Sequence, residues 1–363
     1  MRLMSFGALS SKSTRDPEPA MSKQCSPRVN LFFVLCSSLL LAIGATQALA
    51  QKPTLSLEET VGLRQVSKAV ISPNGDAVAY LLSVPRTLYV DANGPAWRQL
   101  HVVSAEGESR PYFTGQVAVT DVAWSVEGND LFFVAKQDVE ADYPDIYRMP
   151  LDGGGAEVIF TGQFDIKGIY PSPGGETIAF LARDPKPAED EQLAEKGFSA
   201  LVYEESVKPR RVWLLNIESG QAEAQELAGS ASLFDWSPDG RQYAVALAPT
   251  PLIDDEYMAR DIFVVSAADG SIRNQMGLSG KLGDFEWSPD GQQIAWIGGE
   301  DMHDPKEGRL FVASASGGER RDLVPGYAGH VVDFYWQDDD SVAWIGGRGL
   351  WAEQGQASVR RPD

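Results

Sequence analysis

One short motif recurs along this chain and limits its fold more than any other feature. Six segments place an aromatic or apolar residue before a Ser-Pro-Asp-Gly-like turn, with an alternating apolar strand behind it. They are Ile71-Ser72-Pro73-Asn74-Gly75, Trp124-Ser125-Val126-Glu127-Gly128, Pro171-Ser172-Pro173-Gly174-Gly175, Trp236-Ser237-Pro238-Asp239-Gly240, Trp287-Ser288-Pro289-Asp290-Gly291 and the degenerate Trp336-Gln337-Asp338-Asp339-Asp340. The turn glycines Gly75, Gly128, Gly175, Gly240 and Gly291 are 53, 47, 65 and 51 residues apart, and Asp339 lies a further 48 on. Such self-similarity marks a repeat architecture.

Each unit can be read chemically. Proline presets φ for the second position of a type I turn, and glycine is favoured at the fourth. The strand that follows alternates, as in Asp76-Ala77-Val78-Ala79-Tyr80, Glu176-Thr177-Ile178-Ala179-Phe180 and Gln292-Gln293-Ile294-Ala295-Trp296. Small alanine beside a large aromatic suits closely packed sheets. A second strand recurs and ends in its own turn, as in Leu100-His101-Val102-Val103 to Gly107 and Ile262-Phe263-Val264-Val265 to Gly270. A last strand leads into the next unit. Phe113-Thr114-Gly115-Gln116 and Phe160-Thr161-Gly162-Gln163 are identical and 47 apart, the offset of the glycines that follow them. Four strands per unit of roughly 50 residues predict an all-β fold, a β-propeller of repeated four-stranded blades. About six blades are visible. A two-sheet sandwich does not require a repeating turn at near-constant spacing.

The remaining segments set the domain plan. Residues 31–45 are apolar apart from Ser37, Ser38 and Gly44, follow Lys23 and Arg28, and lead to Ala48-Leu49-Ala50. This is the layout of a secretory signal peptide with cleavage before Gln51; the competing reading, an uncleaved anchor, would have a short span. Residues 1–20 are polar and extend the leader, so Met21 is an alternative start. Residues 51–66 form a leader in which Ser56 and Glu59 make a capping-box signature for a short helix. Residues 67–363 make up the propeller, with an insertion at 184–211 that holds a helix-prone run from Glu189 to Lys196. The chain is expected to stop inside its sixth blade, around the second strand, and so to leave an unpaired sheet edge.

Charge and cysteines narrow the function classes. The chain carries a net charge of −20, and removing residues 1–50 makes it −23. A nucleic-acid binder needs cationic surface, so nucleic acid is not an expected partner. The same sign disfavours docking on anionic lipid, and no membrane association is expected after signal cleavage. Both cysteines, Cys25 and Cys36, leave with the signal, which removes disulfides and thiolate metal ligands. The expected location is periplasmic or secreted.

The repeats, the leader and the insertion together resemble one family. Leu55-Ser56-Leu57-Glu58-Glu59, Leu63-Arg64-Gln65-Val66-Ser67 and Ile71-Ser72-Pro73-Asn74-Gly75, with Val202-Tyr203-Glu204-Glu205 and Arg211-Val212-Trp213 in the insertion, are similar to the propeller of the prolyl oligopeptidase family of serine peptidases. The acylaminoacyl-peptidase and dipeptidyl-peptidase branch fits best. The resemblance implies a propeller that covers an active site and admits short peptides, with the catalytic Ser, Asp and His on a following α/β-hydrolase domain. That domain needs a Gly-x-Ser-x-Gly elbow. None is present here: Gly277-Leu278-Ser279-Gly280 is followed by Lys281, and Ser316-Gly317-Gly318 lacks the leading glycine. No catalytic residue is assigned.

Other candidate residues have plainer readings. His101, His303 and His330 lie at no ligand spacing and are read as structural or surface residues. Asp338-Asp339-Asp340 and Asp254-Asp255-Glu256 lack the alternating spacing of a calcium loop and are read as solvated turns. Gly153-Gly154-Gly155 follows Asp152 between strands and is read as a hairpin turn, not a phosphate loop. No metal and no cofactor is expected. Glu204 and Glu205 carry the sharper hypothesis. Dipeptidyl-peptidase relatives use a Tyr-Glu-Glu motif to hold the substrate's free ammonium, and paired carboxylates accept charge-assisted hydrogen bonds. Here Val212-Trp213-Leu214 intervenes before Trp236-Ser237, unlike the family's spacing, and the competing reading is a solvated edge of the insertion. The expected function is a non-catalytic propeller that gates and selects oligopeptides for a hydrolase domain absent from this chain. The alternative is a stand-alone periplasmic propeller whose rim binds a protein partner.

Overall fold

A computed structural model describes residues 54–360, apart from 186, 199, 201–203 and 206. The signal peptide and its cleavage site lie outside the described residues. The described residues fall into two units, one ending at Thr60 and one running from Val61. In the first, Ser56 and Glu59 form the expected capping box. The Glu59 amide donates to Ser56 Oγ at 3.1 Å and the Ser56 amide to Glu59 Oε2 at 2.8 Å, at the start of helix α1 (Leu57–Val61). No helix among the described residues is long and apolar enough to cross a membrane.

The second unit is built of antiparallel sheets in chain order. The first comprises β1 (Gln65–Ile71), β2 (Ala77–Val84), β3 (Trp97–Ser104) and β4 (Ser109–Phe113). The second comprises β5 (Ala118–Trp124), β6 (Asp130–Lys136), β7 (Asp145–Pro150) and β8 (Glu157–Phe160), and one parallel pairing, Arg98 with Ala118, joins it to the first. The third comprises β9 (Lys167–Pro171), β10 (Thr177–Arg183), β11 (Arg210–Asn216) and β12 (Ala222–Ala224). The fourth comprises β13 (Ser230–Trp236), β14 (Gln242–Ala248), β15 (Asp261–Ser266) and β16 (Ile272–Gln275). The fifth comprises β17 (Leu282–Trp287), β18 (Gln293–Gly298), β19 (Arg309–Ser314) and β20 (Arg321–Asp322). The sixth comprises β21 (His330–Asp338), β22 (Ser341–Arg348) and β23 (Trp351–Ser358). This is the β-propeller that the repeat predicts.

Two expectations need correction. The sixth sheet holds three strands, because Ser341 to Arg348 pair in continuous register with Ser358 to Trp351, beyond the expected break near the second strand. Asp254-Asp255-Glu256 is not a turn but the first turn of helix α3 (Ile253–Met258), where carboxylates favour the positive end of the helix dipole. Between β10 and β11, helix α2 (Ala188–Glu195) forms in the helix-prone run, and β11 begins at Arg210, inside the expected insertion bound of 211.

The motif forms the turn between the first two strands of a blade. In the fourth sheet the Gly240 amide donates to the Ser237 carbonyl at 2.8 Å, the Gln242 amide donates to Ser237 Oγ at 3.0 Å, and Ser237 Oγ donates to Asp239 Oδ1 at 2.7 Å. Ser72, Ser172, Ser237 and Ser288 are all buried. The serine therefore closes the turn from inside, and the proline and glycine only shape its backbone.

Between sheets the packing follows one code. Side chains of each second strand alternate between the two faces of its sheet. In the first, third, fourth and fifth sheets the face toward the next sheet is small or aliphatic: Ala79 and Leu81, Ala179 and Leu181, Ala244 and Ala246, Ala295 and Ile297; the second sheet is the exception, with Phe132 beside Val134 on that face. The face toward the preceding sheet is larger: Phe133, Phe180, Tyr243 and Trp296, all almost fully buried. Each such side chain contributes about 1.5–3 kcal/mol through burial. Because the second strands of the second to fifth sheets pack on both faces, they read as unbroken buried runs, such as Leu131 to Ala135 and Tyr243 to Ala248.

Candidate functional site

The first strands of adjacent sheets neighbour one another, and the recurrent tryptophans join them. The Trp124 indole N–H donates to the Val70 carbonyl at 2.9 Å, and that of Trp236 to the Tyr170 carbonyl at 2.9 Å. The Trp287 indole donates to the Asp235 carbonyl and that of Trp336 to the Glu286 carbonyl, each at 3.3 Å. Every acceptor is the residue just before the equivalent turn-flanking position in the preceding sheet. The third sheet has Pro171 there and no indole. Its seam is instead made by Asp121, whose Oδ2 accepts the Ile169 amide at 2.9 Å while Oδ1 accepts the Val122 amide at 2.8 Å and pairs with Lys68.

This register places carboxylates along the inner strands. Asp235 stands one residue before Trp236, and its Oδ2 also accepts the Trp287 amide at 3.0 Å. Glu286 stands one residue before Trp287, and its carbonyl is the acceptor of the Trp336 indole. Asp284 and Asp333, at the alternate position of the fifth and sixth sheets, are exposed. Burial pushes the Asp235 carboxyl up to about 7, against the lowering effect of the Trp287 and Trp236 amides. Burial, and then the charges of Asp235 and Asp333, push Glu286 up to about 7. The neighbouring Tyr170 hydroxyl is raised to about 12 by burial and by Asp121, Asp235 and Asp284. The fourth to sixth sheets thus present an acidic wall in which two members are poised to gain a proton near neutral pH.

At the end of the sheets where second strands pass to third strands, a cavity of about 230 Å³ opens between the fourth, fifth and sixth sheets. Arg260 and Lys306 oppose Asp284 and Glu307 in its lining, and Leu233 and Val331 supply apolar wall. Arg260 Nη1 donates to Ser232 Oγ at 3.4 Å and Nη2 to the Leu282 carbonyl, so it is anchored to the next sheet's first strand. The site holds both signs of charge beside apolar surface, which suits a short zwitterionic chain. The insertion leaves the third sheet at this same end of its strands. Glu204 and Glu205 are both exposed in it, and Glu204 adopts φ +65°. Among the described residues they make no hydrogen bond or ion pair.

The histidines fall where the plain reading places them. His101 is half-buried, stacks on Tyr80 with ring centroids 5.4 Å apart, and is lowered by burial and by Arg64. Asp301 Oδ1 accepts the His303 amide in an exposed loop, and His330 opens β21. Among the described residues no serine hydroxyl is hydrogen-bonded to a histidine ring, and no group of three or more His, Cys, Asp or Glu side chains could hold a metal ion. Gly153-Gly154-Gly155 forms the hairpin turn between β7 and β8. The seam-forming role of the tryptophans and of Asp235 and Glu286 was not read from the sequence. Its only signal there was the recurrence of Trp at one position of the repeat.

Comparison with known proteins finds distant similarity to one dipeptidyl-peptidase and to several β-propeller structures. No family model matches the chain. Dipeptidyl-peptidase 5 of Porphyromonas gingivalis is 24% identical over 319 residues, covering 78% of this chain and 45% of that protein. The chain therefore spans less than half the length of that relative. The β-propeller domain of the trilobed protease from Pyrococcus furiosus superposes with a TM-score of 0.58 at 16% identity, covering 83% of this chain and 82% of that one. Acylaminoacyl peptidase of Pyrococcus horikoshii gives a TM-score of 0.59 at 13% identity, covering 85% of this chain and 48% of that one. The similarity is distant; the solved structures establish the β-propeller fold, and the resemblance is to the propeller part of serine peptidases.

Proposed function

We propose that this chain is the substrate-selecting propeller of an exported serine peptidase, making no bonds itself and admitting short peptides to a hydrolase domain outside these residues. The observation that carries the reading is the match to dipeptidyl-peptidase 5, which takes in most of this chain and less than half of that protein. The mixed-charge cavity at Arg260, Asp284, Lys306 and Glu307 supports it, since a short peptide presents an ammonium, a carboxylate and apolar side chains. Glu204 and Glu205 are the candidates for the ammonium contact. Export to the periplasm or beyond follows from the leader, and a serine peptidase domain is the partner. No nucleic acid, membrane, metal or cofactor enters this reading.

Calorimetric titration of the full chain with short peptides, free or acetylated at the N-terminus, tests it. Free peptides should bind more tightly than acetylated ones, and replacing Glu204 and Glu205 with Gln should erase the difference. Equal affinities, or no binding, would overturn the selecting role. An alkyl fluorophosphonate probe should leave the chain unlabelled; stoichiometric serine labelling would show chemistry that this reading denies. The alternative, a stand-alone interaction propeller, draws on a groove of about 960 Å³ beside the turn-bearing edges of the fourth to sixth sheets, lined in part by Arg273, Glu319, Arg320 and Arg321. Its mixed charge suits a protein surface.

A further inference from the structure

Two arginines on neighbouring sheets stand at one place of the repeat, and each has a hydrogen-bonding need that the folded chain leaves unmet. Arg210 opens β11 opposite Arg183. Arg260 immediately precedes Asp261, which pairs with Leu247, and so stands level with Ala248. Arg183 and Ala248 lie equally far beyond the turn glycines Gly175 and Gly240. Each arginine reaches the first strand of the next sheet. Arg210 Nη1 donates to the Ala231 carbonyl at 3.2 Å, and Arg260 Nη2 donates to the Leu282 carbonyl. Ala231 and Leu282 are equivalent residues of β13 and β17. Both arginines also meet on β13: the Arg210 amide donates to Ser230 Oγ at 3.2 Å, and Arg260 Nη1 donates to Ser232 Oγ at 3.4 Å. Three consecutive residues of one strand, Ser230 to Ser232, therefore hold the pair.

A clamp between sheets accounts for those bonds but not for the rest of either guanidinium, which carries five N–H donors in a planar fork. Nε of Arg210 and Nε of Arg260 are both buried, and neither has a hydrogen-bond partner. Burial holds both guanidiniums below their ordinary range, and the charge of Arg183 lowers Arg210 further. A buried charge is costly unless a counter-ion completes its hydrogen bonds. The carboxylates at hand do not complete them. Glu256 Oε1 stands 4.0 Å from Arg210 Nη1 and accepts from Ser230 Oγ at 3.4 Å. The charges of Glu307, Glu256 and Asp284 favour Arg260, but among the described residues none of the three forms an ion pair with it, and Glu307 lies 3.8 Å from Lys306 Nζ instead. Glu256 approaches the two arginines from helix α3, none of whose residues is buried, so core packing does not fix it there.

We propose that Arg210 and Arg260 form a binding site for a peptide carboxylate, which Glu256 occupies loosely in the free chain and yields to the ligand. Arg260 lines the cavity of about 230 Å³, so the site opens where a short peptide is received. A ligand carboxylate that displaces Glu256 can accept from Nε and Nη of one guanidinium together, a geometry that Glu256 does not make. The inference rests on the peptide-selecting reading for its ligand. It gives the carboxylate a partner, as Glu204 and Glu205 give the ammonium one.

Calorimetric titration of the full chain with trialanine in four forms, the N-terminus free or acetylated and the C-terminus free or amidated, tests the proposal. With either N-terminus, the free acid should bind about tenfold tighter than the amide or better, the worth of a charge-assisted hydrogen bond. The net charge of −20 repels an acid at long range, so such a preference must be local. Arg210→Gln and Arg260→Gln should each remove most of it, with circular dichroism checking the fold. Glu256→Gln should raise the affinity of the acids and leave the amides unchanged, a gain that misfolding cannot produce. An acetylated and amidated Ala-Glu-Ala separates the two sources of carboxylate. Affinity like that of the free acid assigns the site to acidic side chains as well, and affinity like that of the neutral amide assigns it to chain termini alone. No preference for acid over amide, a preference that survives both arginine substitutions, or an unchanged acid affinity in Glu256→Gln would overturn the proposal. An acid preference without an N-terminal one keeps this site while the ammonium contact at Glu204 and Glu205 fails; an N-terminal preference alone overturns this site and leaves that contact standing.

Discussion

Asp235 makes the fourth-to-fifth seam sensitive to pH, in a direction opposite to that of most carboxylates. Its carboxyl accepts the Trp287 amide, but burial outweighs that bond and raises it from 3.8 to about 7. The folded chain therefore binds a proton more tightly than the unfolded chain does. Stability falls as pH rises from the unfolded value toward the folded one, and the loss is complete above about 7. The full displacement is equivalent to roughly 4 kcal/mol, of which roughly 2–3 kcal/mol falls between about pH 5 and pH 8. Glu286 acts in the same direction, and part of its own rise comes from the Asp235 charge. His101 acts in the opposite direction: its folded value is lowered, so its contribution to stability grows as pH rises through the ordinary histidine range.

The perturbation is Asp235→Asn, which keeps an acceptor for the Trp287 amide and removes the ionisable group. Urea unfolding at about pH 5 and about pH 8 is the assay. The unsubstituted chain should be less stable at the higher pH. The variant should lose most of that difference and be the more stable of the two at about pH 8. Stability that rises with pH in the unsubstituted chain, or an unchanged slope in the variant, would refute the argument that burial dominates at this seam. A His101→Gln control should steepen the fall.

Other outcomes follow from the same geometry. Trp236→Phe removes the indole donor to the Tyr170 carbonyl and should cost about 1–2 kcal/mol in urea unfolding, with the sheets otherwise intact. Gly229→Ala should be far more damaging than Gly75→Ala. A Cβ at Gly229, which sits at φ +108°, would lie 2.4 Å from the Ala248 carbonyl oxygen, whereas one at Gly75 meets nothing within 4 Å. About 3 kcal/mol against about 1 is the expected contrast by thermal unfolding. Mass spectrometry of exported protein should find Gln51 as the first residue; retention of residues before Ala48 would contradict the leader reading.

The limits of the sequence are instructive at particular residues. The spacing of Gly75, Gly128, Gly175, Gly240 and Gly291 made the blades legible because a turn is a local event: its proline, aspartate and glycine act within four residues. The alternation in β10 or β18 gave strand positions for the same reason. What the spacing could not show was which face meets which sheet. Trp287 and its acceptor Asp235 are 52 residues apart, and nothing near either one specifies the other. Asp235 carries no sequence signal of its own beside Trp236, and its burial against the Trp287 amide shows only in the packed seam. Glu204 and Glu205 show the reverse case. Their motif stood out in the sequence, yet they sit exposed on the insertion, outside the packed seams. Seams between repeats are therefore where sequence periodicity is least informative. They depend on pairs of residues one repeat apart, and the period records each member without recording the pair.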